Sequence, residues 1–383
     1  MPLPEQQIIR QLQALVGTAS VSSTDPSWDQ GNRAVVELLE GWLADLGFAT
    51  EILDITDDGR KANLVATLGS GPGGLVLAGH TDTVPFDEGR WRSDPLSLCE
   101  RDARLYGLGS TDMKGFFPLV LAAARSFLDK PLRQPLIVLA TADEESSMNG
   151  ARALATAGRP RARAAIIGEP TSLVPVRMHK GIMMEAVRIT GQSGHSSNPA
   201  LGNSALEAMH EVLGDLIGYR ELLGQRYANP AFAVAVPTLN LGCIHGGDSP
   251  NRICGRSELH IDLRMTPDGD DRAVREELDQ RLRAIAERRG VAIELDPLVK
   301  SVPPFEQGAD SELVRVAEQL TGHRAESVAF ATEAPFLQQL GMETIVMGPG
   351  SIDRAHQPDE YLELDQLKPC VRLLEQFIAH YCL

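Results

Sequence analysis

Short apolar runs alternate with stretches of helical periodicity in the first half of the chain. Apolar residues recur at helical spacing over 5–17 and 31–47, and both stretches end in glycine, which is common just after a helix. Brief apolar runs bounded by glycine or proline predict buried strands at 63–68, 75–79, 136–142 and 164–168. Helical patterns at 115–128 and 148–157 separate them. This alternation predicts an α/β fold with a central parallel or mixed sheet.

The pattern changes after about residue 180. Strand, helix, two strands, helix and strand are predicted in that order, at 183–191, 203–224, 238–247, 257–265, 270–289 and 291–296. That order is typical of a ferredoxin-like α+β unit. Beyond residue 300 the mixed pattern returns, with helices near 310–321, 333–340 and 365–382. We therefore predict a second domain, 180–297, inserted into a first domain that is built from 1–179 and 298–383.

Composition narrows the possible partners and location. Of the 383 residues, 36 are Lys or Arg and 52 are Asp or Glu, and the resulting net charge of −16 disfavours nucleic-acid binding. No run reaches the roughly 18 apolar residues of a membrane span, and the first residues lack the features of a secretory signal. The cysteines are scattered, at Cys99, Cys243, Cys254, Cys370 and Cys382. We expect a cytoplasmic protein without a membrane or nucleic-acid partner, a disulfide framework or a thiolate zinc site.

Acidic and histidine residues follow the predicted strands of the first domain. The positions concerned are His80, Asp82, Asp112, Glu144, Glu145, Glu169 and, in a Gly- and Pro-rich loop, His356. Ligand sites in open α/β sheets lie outside the carboxyl ends of the strands, so these side chains are expected to meet at one edge. Each has an ordinary alternative, since a single histidine is more often a satisfied polar residue and paired acids suit a helix start.

The joint pattern indicates a metal site. Clustered carboxylates repel one another, and a cation neutralises that repulsion. Imidazole and carboxylate ligands without thiolate suit zinc or another first-row divalent ion. Even two histidines with only three of these carboxylates are too many ligands for one catalytic zinc that keeps a water. Such a set suits two metals that share a carboxylate.

Six motifs carry a resemblance to a known family. In chain order they are GHTDTVP (79–85), YGLGSTDMKGF (106–116), TADEE (141–145), GEPT (168–171), GHSS (194–197) and HQPDEY (356–361). With them the chain resembles the M20 family of metal-dependent amidohydrolases and aminoacylases. The resemblance implies a mixed-sheet zinc-hydrolase catalytic domain with an inserted ferredoxin-like lid and dimerisation domain.

The resemblance also implies roles for the residues at the strand ends. Asp112 would bridge two zinc or cobalt ions, one completed by His80 and Glu169 and the other by Glu145 and His356. Asp82 would accept the ring N–H of His80, and Glu144 would act as general base towards the attacking water. The peptide bond between Asp112 and Met113 would be cis.

Further implied roles concern the second domain and the substrate. His195 in GHSS would stabilise the oxyanion in the opposite subunit of a homodimer. Asn251 and Arg252 would hold the substrate carboxylate, and Arg264 is a second candidate unless it forms a structural salt bridge. Small residues at Gly348 and Gly350 would allow close approach of the substrate. Glu333 would read a cationic side chain, unless it is only an acid at the start of a helix.

The implied reaction is hydrolysis of N2-acetyl-L-ornithine to L-ornithine and acetate, a step of arginine biosynthesis. Acetylcitrulline, a succinylated diamino acid and a dipeptide are alternative substrates within the family. A variant that works with one metal is a further alternative. From a different class, a binding protein that keeps the fold without catalysis would show loss of Glu144 or of a ligand, and all of these residues are present.

Overall fold

The computed structural model describes residues 5–383, with the backbone alone at Glu88. Residues 1–4 lie outside the described residues. The predicted start of the first domain falls on them, and so does part of the segment in which no secretory signal was found. The chain forms two compact units. Unit 1 comprises the residues up to Arg177 together with Gln307–Glu326 and Thr332–Leu383, and unit 2 comprises Met178–Glu306 and Ser327–Ala331. Within residues 5–383, no helix combines the length and apolar character needed to cross a bilayer.

The first segment of unit 1 alternates strands and helices. Its helices are α1 (Glu5–Val16), α2 (Arg33–Asp45), α3 (Phe116–Arg125) and α4 (Asn149–Ala157). Its strands are β1 (Ala49–Asp54), β2 (Ala62–Leu68), β3 (Leu75–His80), β4 (Cys99–Arg101), β5 (Arg104–Tyr106), β6 (Leu136–Thr141) and β7 (Ala164–Pro170), and β8 (Val176–His179) follows them. Every residue of β3, β6 and β7 is buried, as their continuous apolar composition predicts.

Unit 2 is an α+β sandwich of two helices and an antiparallel sheet. Its main elements are β9 (Met183–Thr190), α5 (Ala205–Arg226), β10 (Thr238–Gly246), β11 (Arg256–Arg264), α6 (Asp271–Arg289) and β12 (Ala292–Pro297), followed by the short β13 (Phe305–Glu306). The sheet order is β10-β11-β9-β12, the arrangement of a ferredoxin-like unit. Both helices have a side chain that caps the N-terminus. The Ser204 hydroxyl accepts the Glu207 N–H at the start of α5, and the Asp270 carboxylate accepts the Arg272 N–H at the start of α6.

The rest of the chain completes unit 1. It contributes α7 (Glu312–Thr321), β14 (Glu326–Val328), α8 (Ala334–Gln339), β15 (Glu343–Gly348), β16 (Tyr361–Glu363) and α9 (Leu364–Cys382). Only the first residue of β14, Glu326, belongs to unit 1, and the other two belong to unit 2. The strands that unit 1 contributes to the main sheet have the order β1-β2-β6-β3-β7-β15-β8. Strand β3 is parallel to β6 and β7, β15 is parallel to β7, and β1 and β2 pair antiparallel, so the sheet is mixed, as predicted. The carboxyl ends of four parallel strands therefore meet at one edge.

The fold differs from the sequence-based expectation in its strands and in the bounds of unit 2. Of the strands within residues 5–383, eight were not predicted, namely β1, β4, β5, β8, β13, β14, β15 and β16, and of these β15 lies beside β7 in the main sheet. Unit 2 begins before and ends after the predicted range of 180–297, because Phe305 of β13 pairs with His179 of β8. The predicted domain bounds thus remain a prediction, and they lie close to the bounds of the two observed units.

Candidate metal centre

Three neighbouring strands of unit 1 bring acidic and histidine side chains to one edge of the main sheet. His80 is the last residue of β3, and Glu169 lies near the end of β7. Glu144 and Glu145 follow β6 after a two-residue turn. Since β3 runs parallel to both β6 and β7, these carboxyl ends are adjacent. The strand pairing is thus what assembles the site.

Asp112 faces both predicted histidine ligands, one with each carboxylate oxygen. Its Oδ1 lies 3.0 Å from Nε2 of His80, and its Oδ2 lies 3.2 Å from Nε2 of His356. His80 Nε2 is also 3.7 Å from Oε1 of Glu169, and His356 Nε2 is 3.0 Å from Oε2 of Glu145. The five predicted ligands therefore form two groups that have Asp112 in common.

The ligand atoms are close enough to share cations. One atom each from His80, Asp112 and Glu145 lies within 4.8 Å of the others, and the same holds for His80, Glu144 and Glu169. Glu144, the predicted general base, thus lies beside the Glu169 side of the cluster. The Asp112–Met113 peptide bond is cis, as the resemblance implies.

The charges of this cluster suit a cation. Burial, and then the charge of Glu169, raises the pKa of Glu144 well above its usual value. Burial, and then the charge of Asp112, does the same for the pKa of Glu169. For Asp112 burial acts upwards, but the neighbouring His356 and His80 hold its pKa below the usual range. Carboxylates crowded in this way, with two imidazoles among them, are a donor set that fits a divalent ion of the zinc type.

Asp82 makes a different contact from the one predicted. The ring Nδ1 of His80 lies 2.9 Å from the backbone oxygen of Asp82 and 3.9 Å from its carboxylate. The carboxylate instead accepts the backbone N–H groups of Glu144 and Glu145, at 3.2 and 3.1 Å. The backbone oxygen of Asp82 is thus nearer to the His80 ring than its carboxylate is, and the role of the carboxylate in orienting His80 stays a prediction.

Three of the predicted substrate residues lie in unit 1. The Glu333 side chain is buried, and its Oε1 has no hydrogen-bond partner within residues 5–383. Burial raises the pKa of Glu333 to about 7, against a hydrogen bond from Thr141. A Cβ at Gly348 would lie 2.1 Å from the oxygen of Gly168, and one at Gly350 would lie 2.6 Å from Oγ1 of Thr111. Close packing beside the ligand loops therefore requires both glycines.

The other predicted residues lie in unit 2. His195 and Arg252 form an isolated β-bridge, and the backbone oxygen of Asn251 accepts the Ser196 N–H. The ring Nδ1 of His195 accepts the N–H of Ser197 at 3.2 Å, which leaves the proton on Nε2. Arg252 pairs with Asp248, so one predicted carboxylate binder already has an acidic partner.

Arg264, the second candidate for the substrate carboxylate, lies at the end of β11. Its Nε donates to both carboxylate oxygens of Asp262, at 2.9 and 3.1 Å. The structural salt bridge that the sequence left open is therefore present at this position.

Two residues that support the site were not found from the sequence. Glu360 accepts hydrogen bonds from the turn that carries Asp112, and Lys61 pairs with Asp143, the residue before Glu144. Glu360 lies inside the motif HQPDEY, which could have drawn attention to it. Lys61 lies in no motif, and nothing in its sequence neighbourhood distinguishes it.

Comparison with known proteins gives one family. Residues 76–380 match the sequence profile described as peptidase family M20/M25/M40. An acetylornithine deacetylase from Edwardsiella ictaluri (strain 93-146) is 51% identical over 369 residues, which cover 96% of this chain and 96% of the relative.

Solved structures show the same fold at much lower sequence identity. A metallo-carboxypeptidase of the M20 family from Sulfolobus solfataricus superposes with a TM-score of 0.75 at 18% identity, covering 97% of this chain and 98% of that chain. A Bacillus subtilis protein described as a dinuclear metal binding peptidase from the M20 family gives 0.69 at 14% identity, covering 98% of both chains.

Proposed function

The chain belongs to peptidase family M20/M25/M40, a family of metal-dependent amidohydrolases, and we propose that it hydrolyses N2-acetyl-L-ornithine to L-ornithine and acetate. The observation that carries this proposal is the pair of ligand groups that share Asp112, combined with 51% identity to an acetylornithine deacetylase over nearly the whole chain. In a cell the reaction would serve arginine biosynthesis.

Two divalent cations, zinc or cobalt, would be held by the five side chains around Asp112. His80 and Glu169 would complete one site, and Glu145 and His356 the other, since each pair lies on its own side of Asp112. When bound, such cations lower the pKa of a water towards about 7 and polarise a carbonyl oxygen.

Glu144 would move the proton in the reaction. Its carboxylate lies within 4.8 Å of ligand atoms of His80 and Glu169, and the resemblance leaves it out of the two ligand groups around Asp112. The Asp82 carboxylate holds the backbone N–H of Glu144, so the turn that carries the base is tied to the end of β3. In the proposed reaction Glu144 accepts a proton from the attacking water and returns it to the leaving amine.

His195 would donate to the oxyanion that develops as the amide is attacked. The hydrogen bond from Ser197 to its Nδ1 favours this role, because it leaves Nε2 as a donor. As in the resemblance, His195 would act across a homodimer, with unit 2 as the lid and dimerisation domain.

Two features of unit 2 support the proposed dimer, an unpaired sheet edge and exposed apolar side chains. The nine-residue strand β10 is an edge of its sheet, and an unpaired edge is a template for a second strand. Beside it, Leu206 is 44% exposed and Ile244 is 48% exposed. Ile217, which is 42% exposed, shares the helix face of Leu206 because eleven residues make close to three turns. A second copy of this chain would cover these apolar side chains.

Substrate recognition would use the residues that the resemblance assigns to it. Asn251 and Arg252 would hold the α-carboxylate, with Arg252 exchanging Asp248 for the substrate; Arg264 would take part only if Asp262 released it. The backbone at Gly348 and Gly350 would lie against the amino acid. Glu333, with an unpaired carboxylate oxygen, would favour the cationic side chain of ornithine. These assignments form one proposal with the reaction.

The experiment is a deacylation assay on the purified chain with zinc or cobalt. N2-acetylornithine, acetylcitrulline, a succinylated diamino acid and a dipeptide are compared by kcat/KM. We expect the highest value for N2-acetylornithine, and a Glu144→Gln variant should lose at least about a hundredfold in kcat. Glu287→Gln, an exposed position on α6, is the matched control and should behave as wild type. A higher value for another substrate would replace the proposed one, and equal activity in Glu144→Gln would overturn the mechanism.

A further inference from the structure

Glu360 is buried, and both of its carboxylate oxygens accept hydrogen bonds from backbone N–H groups of one turn. Its Oε1 accepts the N–H of Thr111 at 2.8 Å and that of Asp112 at 3.0 Å, and its Oε2 accepts the N–H of Gly109 at 3.1 Å. Only 2% of the residue is exposed. Both oxygens are thus engaged with the turn that presents Asp112, and they do not point to the cluster as ligands.

The same segment of chain is tied to that turn in other ways. The Thr111 hydroxyl donates to the backbone oxygen of Tyr361 at 2.6 Å, and the N–H of Gly107 donates to the backbone oxygen of Glu360 at 3.0 Å. Strand β16 pairs with β5, which immediately precedes the turn. His356 lies four residues before Glu360 in this segment.

We infer that Glu360 is a positioning residue that locks together the two loops carrying Asp112 and His356, and so prepares the metal centre before any cation arrives. The inference rests on the proposed function, because it assumes that these two residues are ligands. Its physical basis is the set of three hydrogen bonds between the Glu360 carboxylate and the turn that carries Asp112. Three backbone N–H groups fix the direction in which the Asp112 carboxylate leaves the turn, and partners of this kind commonly set the affinity of the ligands they orient.

Exchange of Glu360 for glutamine tests this with little change in shape. A glutamine side chain has one acceptor oxygen, and its NH2 group cannot accept a hydrogen bond. At least one of the three N–H groups would then face a donor and lose its partner. We expect the affinity of the apoprotein for zinc to fall by about 10- to 100-fold.

The matched control is Glu363→Gln. Glu363 lies three residues further along the same segment, and its carboxylate makes no hydrogen bond to the Gly109–Asp112 turn within the described residues. Zinc affinity is measured by calorimetric titration of metal-free wild type, Glu360→Gln and Glu363→Gln, well below the melting temperature of each. Values of kcat and KM are then measured at saturating zinc.

The expected result is weaker zinc binding in Glu360→Gln alone, with KM for N2-acetylornithine within about twofold of wild type once zinc is saturating. Zinc affinity equal to wild type would overturn the inference, even if the melting temperature fell, because a purely structural role would lower stability only. If wild type itself binds no zinc, the proposed function fails first and this inference fails with it.

A second variant keeps the test available if Glu360→Gln does not fold. Thr111→Val removes the hydroxyl that donates to Tyr361 and keeps the size of the side chain. Since it removes one bond between the same loops, zinc affinity should fall roughly fivefold. An unchanged affinity in Thr111→Val would contradict the idea that the two loops must be held together.

Discussion

Lys61 Nζ lies 2.6 Å from Oδ1 of Asp143, the residue immediately before Glu144. The Lys61 side chain is 10% exposed and that of Asp143 is 5% exposed, so this ion pair is buried. Lys61 also contacts Asp29 at 2.7 Å, and the hydroxyl of Ser22 donates to Asp143 at 2.9 Å. The Lys61 ammonium group therefore holds a loop near the N-terminus against the turn that carries the proposed base, Glu144.

Lys61→Met should destabilise the protein strongly. The substitution leaves two carboxylates, Asp143 and Asp29, without their cation, and loss of one partner of a buried pair typically costs about 3 kcal/mol or more. The free energy of unfolding is measured by urea denaturation near pH 8. Lys368→Met is the control, because Lys368 and Glu5 form an exposed pair whose loss should cost less than about 1 kcal/mol.

The effect of Lys61→Met should also depend on pH. Burial lowers the pKa of Lys61, but the hydrogen bonds of Asp143 and Asp29 outweigh it and leave the pKa raised. A raised lysine pKa contributes stability that is fully present below the unfolded value of about 10.4 and is lost as the pH rises through the folded value. The difference between wild type and variant should therefore be constant from pH 7 to 9 and shrink only as the pH rises above about 10.4. Equal stability of the two proteins at pH 8 would contradict this account of the pair.

Asp82→Asn should separate the two roles considered for Asp82. The carboxylate holds the backbone N–H groups of Glu144 and Glu145, whereas His80 is held by the backbone oxygen of Asp82. We expect kcat to fall about 10- to 100-fold, because the turn that carries Glu144 loses one acceptor. Zinc affinity should stay within about threefold of wild type. A large loss of zinc affinity with unchanged kcat would instead support the predicted contact between the Asp82 carboxylate and His80.

Glu333→Gln should change substrate preference. If the unpaired carboxylate oxygen of Glu333 favours a cationic side chain, neutralising it should reduce kcat/KM for N2-acetylornithine about tenfold more than that for N-acetylmethionine. The ratio of the two values is the measurement, so a general loss of activity does not affect it. An equal loss on both substrates would show that Glu333 does not read the side chain.

Ile217→Glu should shift the proposed homodimer towards monomer. The substitution places a charge on the face of α5 that also carries Leu206, at a side chain that is 42% exposed. Sedimentation analysis of wild type should give twice the mass of the chain, and the variant should dissociate at least tenfold more readily. Glu287→Gln, on the exposed surface of α6, is a suitable control. A monomeric wild type would contradict the proposed dimer.

The sequence predicted the assembly of the cluster because strand ends are local features. The apolar run of β3 leads directly to His80, and that of β7 leads to Glu169, so parallel pairing was enough to bring them together. Strand β15 escaped prediction although its residues, from Glu343 to Gly348, are nearly all buried. Its uninterrupted apolar run, 345–347, is only three residues long, which is too short to be recognised as a strand from the sequence.

Contacts made through the backbone could not be predicted in the same way. The Asp82 carboxylate binds N–H groups that every non-proline residue carries, and no side-chain pattern reveals which of them will be near. Glu360 and Asp112 are 248 positions apart, and Lys61 and Asp143 are 82 apart, so each contact depends on the folded chain. Side-chain identity predicted the candidate ligands, whereas tertiary structure determines what holds them.

The most direct test is the number of zinc ions that the metal-free chain binds. Asp112 faces His80 with one oxygen and His356 with the other, so calorimetric titration should give two equivalents for wild type. Asp112→Ala should weaken both sites, and His356→Ala should weaken one. A wild-type chain that binds no zinc would contradict the metal centre, and a single equivalent that is lost in Asp112→Ala but not in His356→Ala would contradict the two-ion arrangement.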